Sequence, residues 1–202
     1  MEYFLELFFG GLTRGSIYAL IALGYTMVYG IIELINFAHG EIYMIGAFTA
    51  LIAASALSLA GLSGWSLLAL SGAVAVVYAA AYGFTLEKIA YKPLRGAPRL
   101  SPLISAIGMS IFLQNYVLLA QTSDFVSFPA LIEEFPFMED VTFMRSSELV
   151  IFAVTIVATA LLTLFIRFTR TGRAMRAVAQ DRTMSMLLGV NVNRVISVAL
   201  IV

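Results

Sequence analysis

Long uncharged stretches alternate with short polar segments along most of this chain. A helix needs about 20 predominantly apolar residues to cross the hydrocarbon core of a membrane. Five stretches approach or exceed that length, namely Gly15–Ile32, Ile42–Leu62, Trp65–Leu86, Leu103–Ala120 and Leu149–Ile166. Another apolar stretch begins at Val195. The pattern predicts an all-α fold: one polytopic transmembrane helical bundle over residues 1–202, with five complete spans and the start of a sixth.

Composition agrees with a chain that is surrounded by lipid. Hydrophobic residues make up 61% of the sequence, charged residues 12%, and the mean hydropathy is +0.95. Soluble domains carry about 45–50% apolar and about 25% charged residues. The twelve basic and twelve acidic residues balance, which gives no general attraction to nucleic acid. The absence of cysteine excludes disulfides and thiolate metal sites.

The first apolar stretch has the features of a retained span. Glu2 and Glu6 precede the first basic residue, Arg14, whereas a cleaved secretory signal begins with a basic region. We expect Arg14 to lie at the outer end of the first span and to reach the membrane interface.

The charges between the spans predict an orientation. Residues 87–99 and 167–194 hold ten of the twelve basic residues, whereas the loop between the fourth and fifth spans is acidic. The acidic residues of that loop are Asp124, Glu133, Glu134, Glu139 and Asp140. Cytoplasmic loops carry the excess of Lys and Arg. We therefore expect an inner (cytoplasmic) membrane protein with both basic segments inside and its N-terminus in the periplasm.

The segment Glu33–Glu41 gathers polar side chains between two apolar stretches. It contains Asn36, Glu41 and His39, the only histidine. It can be an ordinary solvent loop, a catalytic or metal site, or a broken helix beside a transport path. A lone histidine is a weak metal signal, whereas irregular backbone within a membrane is tolerated where it lines a cavity. The sequence favours the third interpretation, with Asn36, His39 and Glu41 as pathway candidates.

The basic segment 167–194 predicts a short amphipathic helix followed by a second helical turn. Apolar Met175, Val178 and Ala179 share one face, and polar Arg173, Arg176 and Gln180 share another. Asp181 can cap the following turn, which bears Met184, Leu187 and Leu188, and Gly189 can end it. Such a segment either lies on the lipid surface or docks in a groove of a partner protein.

Sequence patterns of several enzymes are missing from this chain. It has no Gly-x-x-x-x-Gly-Lys-Ser/Thr phosphate loop, no Gly-x-Ser-x-Gly turn and no His-Glu-x-x-His motif. We therefore expect a protein that is not an enzyme and does not itself hydrolyse ATP through a phosphate loop.

Four sequence blocks resemble one transporter family. The blocks are Gly15–Ile32, Ile35-Asn-Phe-Ala-His-Gly-Glu-Ile-Tyr-Met-Ile-Gly46, Leu103–Tyr116, and Gly172-Arg-Ala-Met-Arg-Ala177 through Leu187-Leu-Gly-Val-Asn191. Together they are similar to the LivH-type permease of ABC importers for branched-chain amino acids. The resemblance extends over essentially the whole chain, and the Asn-Phe-Ala-His-Gly block is its most specific part.

The resemblance implies a subunit of an ATP-driven importer of leucine, isoleucine or valine. Its implied partners are a second related permease, two cytoplasmic ATPase subunits and a periplasmic substrate-binding protein, with no cofactor and no metal. It also implies that residues 167–194 are the coupling segment that docks on the ATPase. The residues assigned to that role are Arg173, Arg176, Ala177, Ala179, Asp181, Leu188 and Gly189.

Two further expectations follow from the resemblance. Family members continue with more spans after the coupling segment, so we expect this chain to be a fragment or an early-terminated product that does not transport alone. A urea or amide permease of the same family is the main alternative. An ATP-independent channel or secondary transporter is less compatible, because the five predicted spans contain no charge.

Overall fold

A computed structural model of the chain describes residues 2–32, 35–98, 100–122, 124, 126–129, 135 and 145–201. Regular structure in these residues is helical. The α-helices are α1 (Glu2–Ile32), α2 (His39–Leu59), α3 (Gly64–Leu86), α4 (Leu100–Ala120), α5 (Ser146–Phe168), α6 (Arg170–Gln180), α7 (Arg182–Leu187) and α8 (Val192–Ile201).

The five predicted spans are confirmed as the five long helices α1 to α5. Each is long and apolar enough to cross a membrane, and α8 is a shorter apolar helix in the position of the sixth stretch. The helix of α3 continues beyond Leu86 through a π-helical turn, Glu87–Tyr91, and a 3-10 turn, Lys92–Leu94. Pro93 cannot donate a backbone hydrogen bond, which is consistent with the helix ending here.

Helix α1 is longer than the sequence predicts. It begins at Glu2 rather than Gly15, so Arg14 is an exposed residue within the helix and does not mark its outer end. Glycines such as Gly10 and Gly11 weaken a helix by about 1 kcal/mol each relative to alanine. In lipid, however, backbone groups must bond internally, and the helix continues through them. The predicted stretch Gly15–Ile32 is therefore the uncharged part of a longer helix.

The helices pack in two groups. Helices α2, α3 and α4 surround one buried core, and α1, α6 and α8 surround a second, with α5 packed against α1 and α6. The pair α2 and α3, which the short turn Ala60–Ser63 joins, makes the most extensive helix contact in the described chain. Gly46 faces Ala79 across this pair, and such small residues let helix backbones approach closely.

Both basic segments lie at the same end of the bundle. Arg95 of the first segment donates a hydrogen bond to Oδ1 of Asn193 over 2.5 Å. Arg182 of the second donates to the carbonyl of Ile31 over 3.2 Å, at the C-terminal end of α1. Two helices of the described residues, α4 and α5, separate the two segments along the chain, and two membrane crossings return the chain to the same side.

Of the acidic loop, Glu133, Glu134, Glu139 and Asp140 lie outside the described residues.

Candidate functional site

Asn36 occupies a buried turn between α1 and α2. Its side chain is 5% exposed, and its Oδ1 accepts the backbone N–H of Ala38 over 3.1 Å. The same oxygen accepts the hydroxyl of Tyr91 over 2.5 Å, from the π-helical turn that follows α3. One amide oxygen thus shapes the turn and ties it to a distant part of the chain. A solvent loop does not fit this burial.

His39 is the first residue of α2, and its ring packs against α1. The ring lies edge-to-face on Tyr25, with 4.9 Å between the centroids. A Cβ atom at Gly24 would lie only 2.6 Å from Nε2 of His39. The absence of a side chain at Gly24 therefore lets the imidazole approach the backbone of α1.

Glu41 lies in the first turn of α2 and faces α4. Its Oε1 accepts the hydroxyl of Ser110 over 3.0 Å, and Nε2 of Gln114 lies 3.5 Å away. A carboxylate is also favoured near a helix N-terminus, because the helix dipole is positive there. Glu41 is thus held by polar groups within a mostly apolar bundle.

His39 and Asn36 lie where the two groups of helices meet, and Glu41 lies within the group of α2, α3 and α4. His39 contacts α1, while Asn36 bonds to Tyr91 and Glu41 bonds to α4. The histidine, the amide and the carboxylate are close together in the sequence, but their side chains contact different helices. They do not form one constellation. In the described part of the chain, no three His, Asp or Glu side chains are grouped so that they could hold a metal ion.

The amphipathic helix of the second basic segment is α6. Met175 and Val178 are buried, Arg173 and Gln180 are exposed, and Ala177 is half-buried. Two details differ from the sequence prediction. Ala179 is exposed, and Arg176 turns back on α5, where its Nη1 donates to the carbonyl of Ile166 over 2.5 Å.

Helix α7 begins and ends as the sequence predicts. Oδ1 of Asp181 accepts the N–H of Met184 over 2.9 Å, which caps the helix. Gly189 has a φ of +84°, a conformation that strains residues with a Cβ, and it follows the last turn. The apolar side chains of this turn are not buried: Leu187 is 76% and Leu188 is 78% exposed.

An ion pair within the first basic segment, which the sequence pattern does not predict, is connected to α8. Glu87, 2% exposed, pairs with Arg95, and Arg95 also bonds to Asn193. Burial lowers the pKa of the Arg95 guanidinium, Glu87 opposes this shift, and nearby Arg182 adds to it. A guanidinium stays charged through such shifts. In the sequence, Glu87 precedes several lysines and arginines, and nothing there indicates which of them it pairs with.

Comparison with known proteins identifies the family. A family model described as "Branched-chain amino acid transport system / permease component" matches residues 7–202. The chain is 49% identical to the high-affinity branched-chain amino acid transport system permease protein LivH of Escherichia coli K12. It is 48% identical to LivH of Salmonella typhimurium and to the corresponding permease protein BraD of Pseudomonas aeruginosa. Each alignment covers 99% of this chain and 67% of the relative.

No solved structure matches this chain. The family match covers nearly all of the sequence, and five helices of the described residues are long and apolar enough to cross a membrane. The chain therefore belongs to the family of permease components of branched-chain amino acid transport systems.

Proposed function

We propose that this chain is the membrane-spanning subunit of an ATP-driven, binding-protein-dependent importer of branched-chain amino acids. The match of the family model to residues 7–202 carries the proposal. The names of the relatives, which specify high-affinity branched-chain amino acid transport, support leucine, isoleucine and valine as substrates. The reaction is vectorial transport, and two separate ATPase subunits supply the energy.

The N-terminus lies in the periplasm in this proposal, and both basic segments face the cytoplasm. The positive-inside rule supports this orientation, as does the position of both segments at one end of the bundle. A periplasmic binding protein then delivers the amino acid at the opposite end, near the turn Ala60–Ser63 and the acidic loop.

Helix α7 is the ATPase-docking element in the proposed complex. Exposed leucines on a short capped helix, held beside basic side chains, fit the mode in which an apolar helix face enters a groove of a partner. Of the coupling residues predicted from the sequence, Leu188 supplies contact area, while Asp181 and Gly189 set where α7 begins and ends. Ala177, Ala179, Arg173 and Arg176 belong to α6, which connects α7 to the bundle.

Asn36, His39 and Glu41 are the pathway residues of this proposal. His39 lies at a contact between the two groups of helices, Asn36 lies in the turn that joins them, and Glu41 bonds from α2 to α4 within one group. A change in the relative position of those groups would expose or close the space beside them. The second, related permease would complete the path from the other side.

Transport by the intact system tests the proposal. The transporter is purified whole, reconstituted into vesicles with its ATPase subunits and binding protein, and given labelled leucine or labelled urea. We expect uptake of leucine that requires ATP and both partner proteins. Leucine uptake that persists without the ATPase subunits contradicts the importer mechanism. Uptake of urea in place of leucine assigns the chain to the urea and amide branch.

A further inference from the structure

A small cavity lies between the ends of α1 and α5 and the adjoining face of α6. Its volume is about 260 Å³, and its wall includes Leu23, Met27 and Gly30 of α1, Leu162 of α5 and Met175 of α6. Sites that enclose a whole small molecule usually measure about 300–1,000 Å³. This cavity suits an apolar part of a larger ligand.

Arg176 supplies the side-chain hydrogen-bond donors that the described wall of the cavity can offer to a ligand. The hydroxyls of Thr26 and Thr163 donate to carbonyls of their own helices, over 2.9 and 2.8 Å. Arg176 is the only charged residue among the described residues of the wall. Its Nη1 bonds to the carbonyls of Ile166 and Arg167. The other two nitrogens of this exposed guanidinium have no hydrogen-bond partner in the described part of the chain.

The position of the cavity points to the membrane surface. Its residues on α1 and α5 belong to the last turns of two spans, and α6 begins immediately after α5. Arg170 and Arg173 are exposed on α6 and add positive charge nearby. An apolar slot that ends at basic side chains, at the depth where spans leave the hydrocarbon, has the chemistry of a lipid site.

We propose that this cavity binds one anionic glycerophospholipid. Part of an acyl chain fills the slot beside Gly30 and Leu162, and the phosphate group bonds to the free nitrogens of Arg176. A lipid suits the site better than a peptide, because residues of two helices that can span a membrane line the slot. This inference goes beyond the proposed transport function and does not depend on it.

Native mass spectrometry of the intact transporter tests the headgroup contact. The protein is released from nanodiscs that contain phosphatidylglycerol and phosphatidylcholine with identical acyl chains, and the retained lipid is counted. We expect Arg176→Gln to lower phosphatidylglycerol retention about fivefold, the effect of one basic residue at a membrane surface. Arg176→Lys should keep most of it. Arg173→Gln is the matched control, since Arg173 is exposed on the same helix outside the cavity.

A second variant tests the acyl slot. A Cβ at Gly30 meets no atom within 4 Å, so Gly30→Leu fills the cavity without disturbing the backbone. We expect it to lower retention of both lipids, whereas Gly108→Leu, at an equally open site on α4, should not.

Three outcomes overturn the proposal. Equal effects of Arg176→Gln and Arg173→Gln indicate diffuse attraction without a built site. Unchanged retention in Gly30→Leu shows that no acyl chain enters the cavity. A lipid that the permease retains without the ATPase subunits, and that is absent from the intact transporter, assigns the groove to those subunits instead. Thermal unfolding in phosphatidylcholine alone verifies that each variant is folded.

Discussion

At the scale of single residues, Gly24 shows how an apolar span accommodates a polar ring. The imidazole of His39 fills the space where a side chain at position 24 would lie. The edge-to-face contact with Tyr25 also holds the ring in place. A glycine that weakens α1 as a helix is thus compensated by the packing that it permits.

Gly24→Ala should destabilise the protein by about 1–3 kcal/mol, since the new Cβ overpacks the contact with His39. The thermal unfolding midpoint in detergent measures this. Gly11→Ala is the control, because a Cβ there meets nothing within 4 Å and alanine favours the helix. In a His39→Ala background, Gly24→Ala should not lower the unfolding midpoint, because the imidazole that the new Cβ would meet is absent. Equal midpoints for Gly24→Ala and Gly11→Ala contradict the contact.

Tyr91→Phe removes the hydroxyl that donates to Asn36 and keeps the ring. We expect a loss of about 0.5–1.5 kcal/mol, because the buried amide oxygen of Asn36 loses one donor and keeps the N–H of Ala38. Tyr18→Phe, at a tyrosine that is 70% exposed, should change the unfolding midpoint little. If the two variants unfold alike, the hydrogen bond of Tyr91 does not stabilise the turn.

At the scale of elements, α7 is a helix too short to be stable by itself and is defined by its two ends. Six residues form less than two turns, and isolated helices of this length do not persist in water. The side chain of Asp181 bonds the first turn, and the left-handed conformation of Gly189 lets the chain leave after the last. The ends thus hold the exposed leucines in place.

Gly189→Ala should destabilise the protein by about 1–2 kcal/mol, the cost of a left-handed conformation for a residue with a Cβ. Gly72→Ala, in the middle of α3, should instead be neutral or stabilising, because a Cβ there meets no atom within 4 Å. The unfolding midpoints of the two variants measure the difference. A stabilising Gly189→Ala contradicts the turn geometry.

Leu188→Gln should weaken ATPase binding about tenfold or more, since burying a leucine contributes about 1.5–3 kcal/mol. The dissociation constant of the purified ATPase subunit for the reconstituted permease measures this. Thr183→Gln, at an exposed polar position of α7, is the control. Unchanged affinity of Leu188→Gln excludes this face of α7 from the docking surface.

The sequence predicts elements better than contacts. Helix α5 extends three residues before and two after its predicted bounds, because its apolar run ends at charges. The start of α1 was missed, because Arg14 and the glycines before it are typical of a boundary in water. The contact of Tyr91 with Asn36 spans 55 positions and that of Arg95 with Asn193 spans 98. Local patterns carry no information on such pairs.

At the scale of the whole molecule, few polar contacts join the parts of the bundle. The pair of Glu87 and Arg95, extended to Asn193, connects the end of α3 to α8. Gly83 adds a close contact, since a Cβ there would lie 2.8 Å from the carbonyl of Leu200. Helix α7 is thus connected to the α2–α4 group through α8 and Arg95, and also through the bond of Arg182 to Ile31 of α1.

Glu87→Gln should destabilise the protein by about 3–5 kcal/mol, because it leaves the partly buried charge of Arg95 without its counter-ion. Denaturant titration of the reconstituted protein measures the loss. Replacing both partners, with Glu87→Leu and Arg95→Met, should recover most of it, since neither charge then remains. A double variant that is no more stable than Glu87→Gln contradicts the pairing.

The division into two packing groups also has a consequence for how such chains diverge. Substitutions inside one core can be accommodated by neighbours in that core. A change at 24, 36 or 95 also disturbs a contact with its partner at 39, 91 or 193, which lies in another part of the chain. Across related sequences we therefore expect these three pairs to change together, while positions within each core drift with their own neighbours. Covariation among related sequences would then identify the same contacts that connect distant parts of this fold.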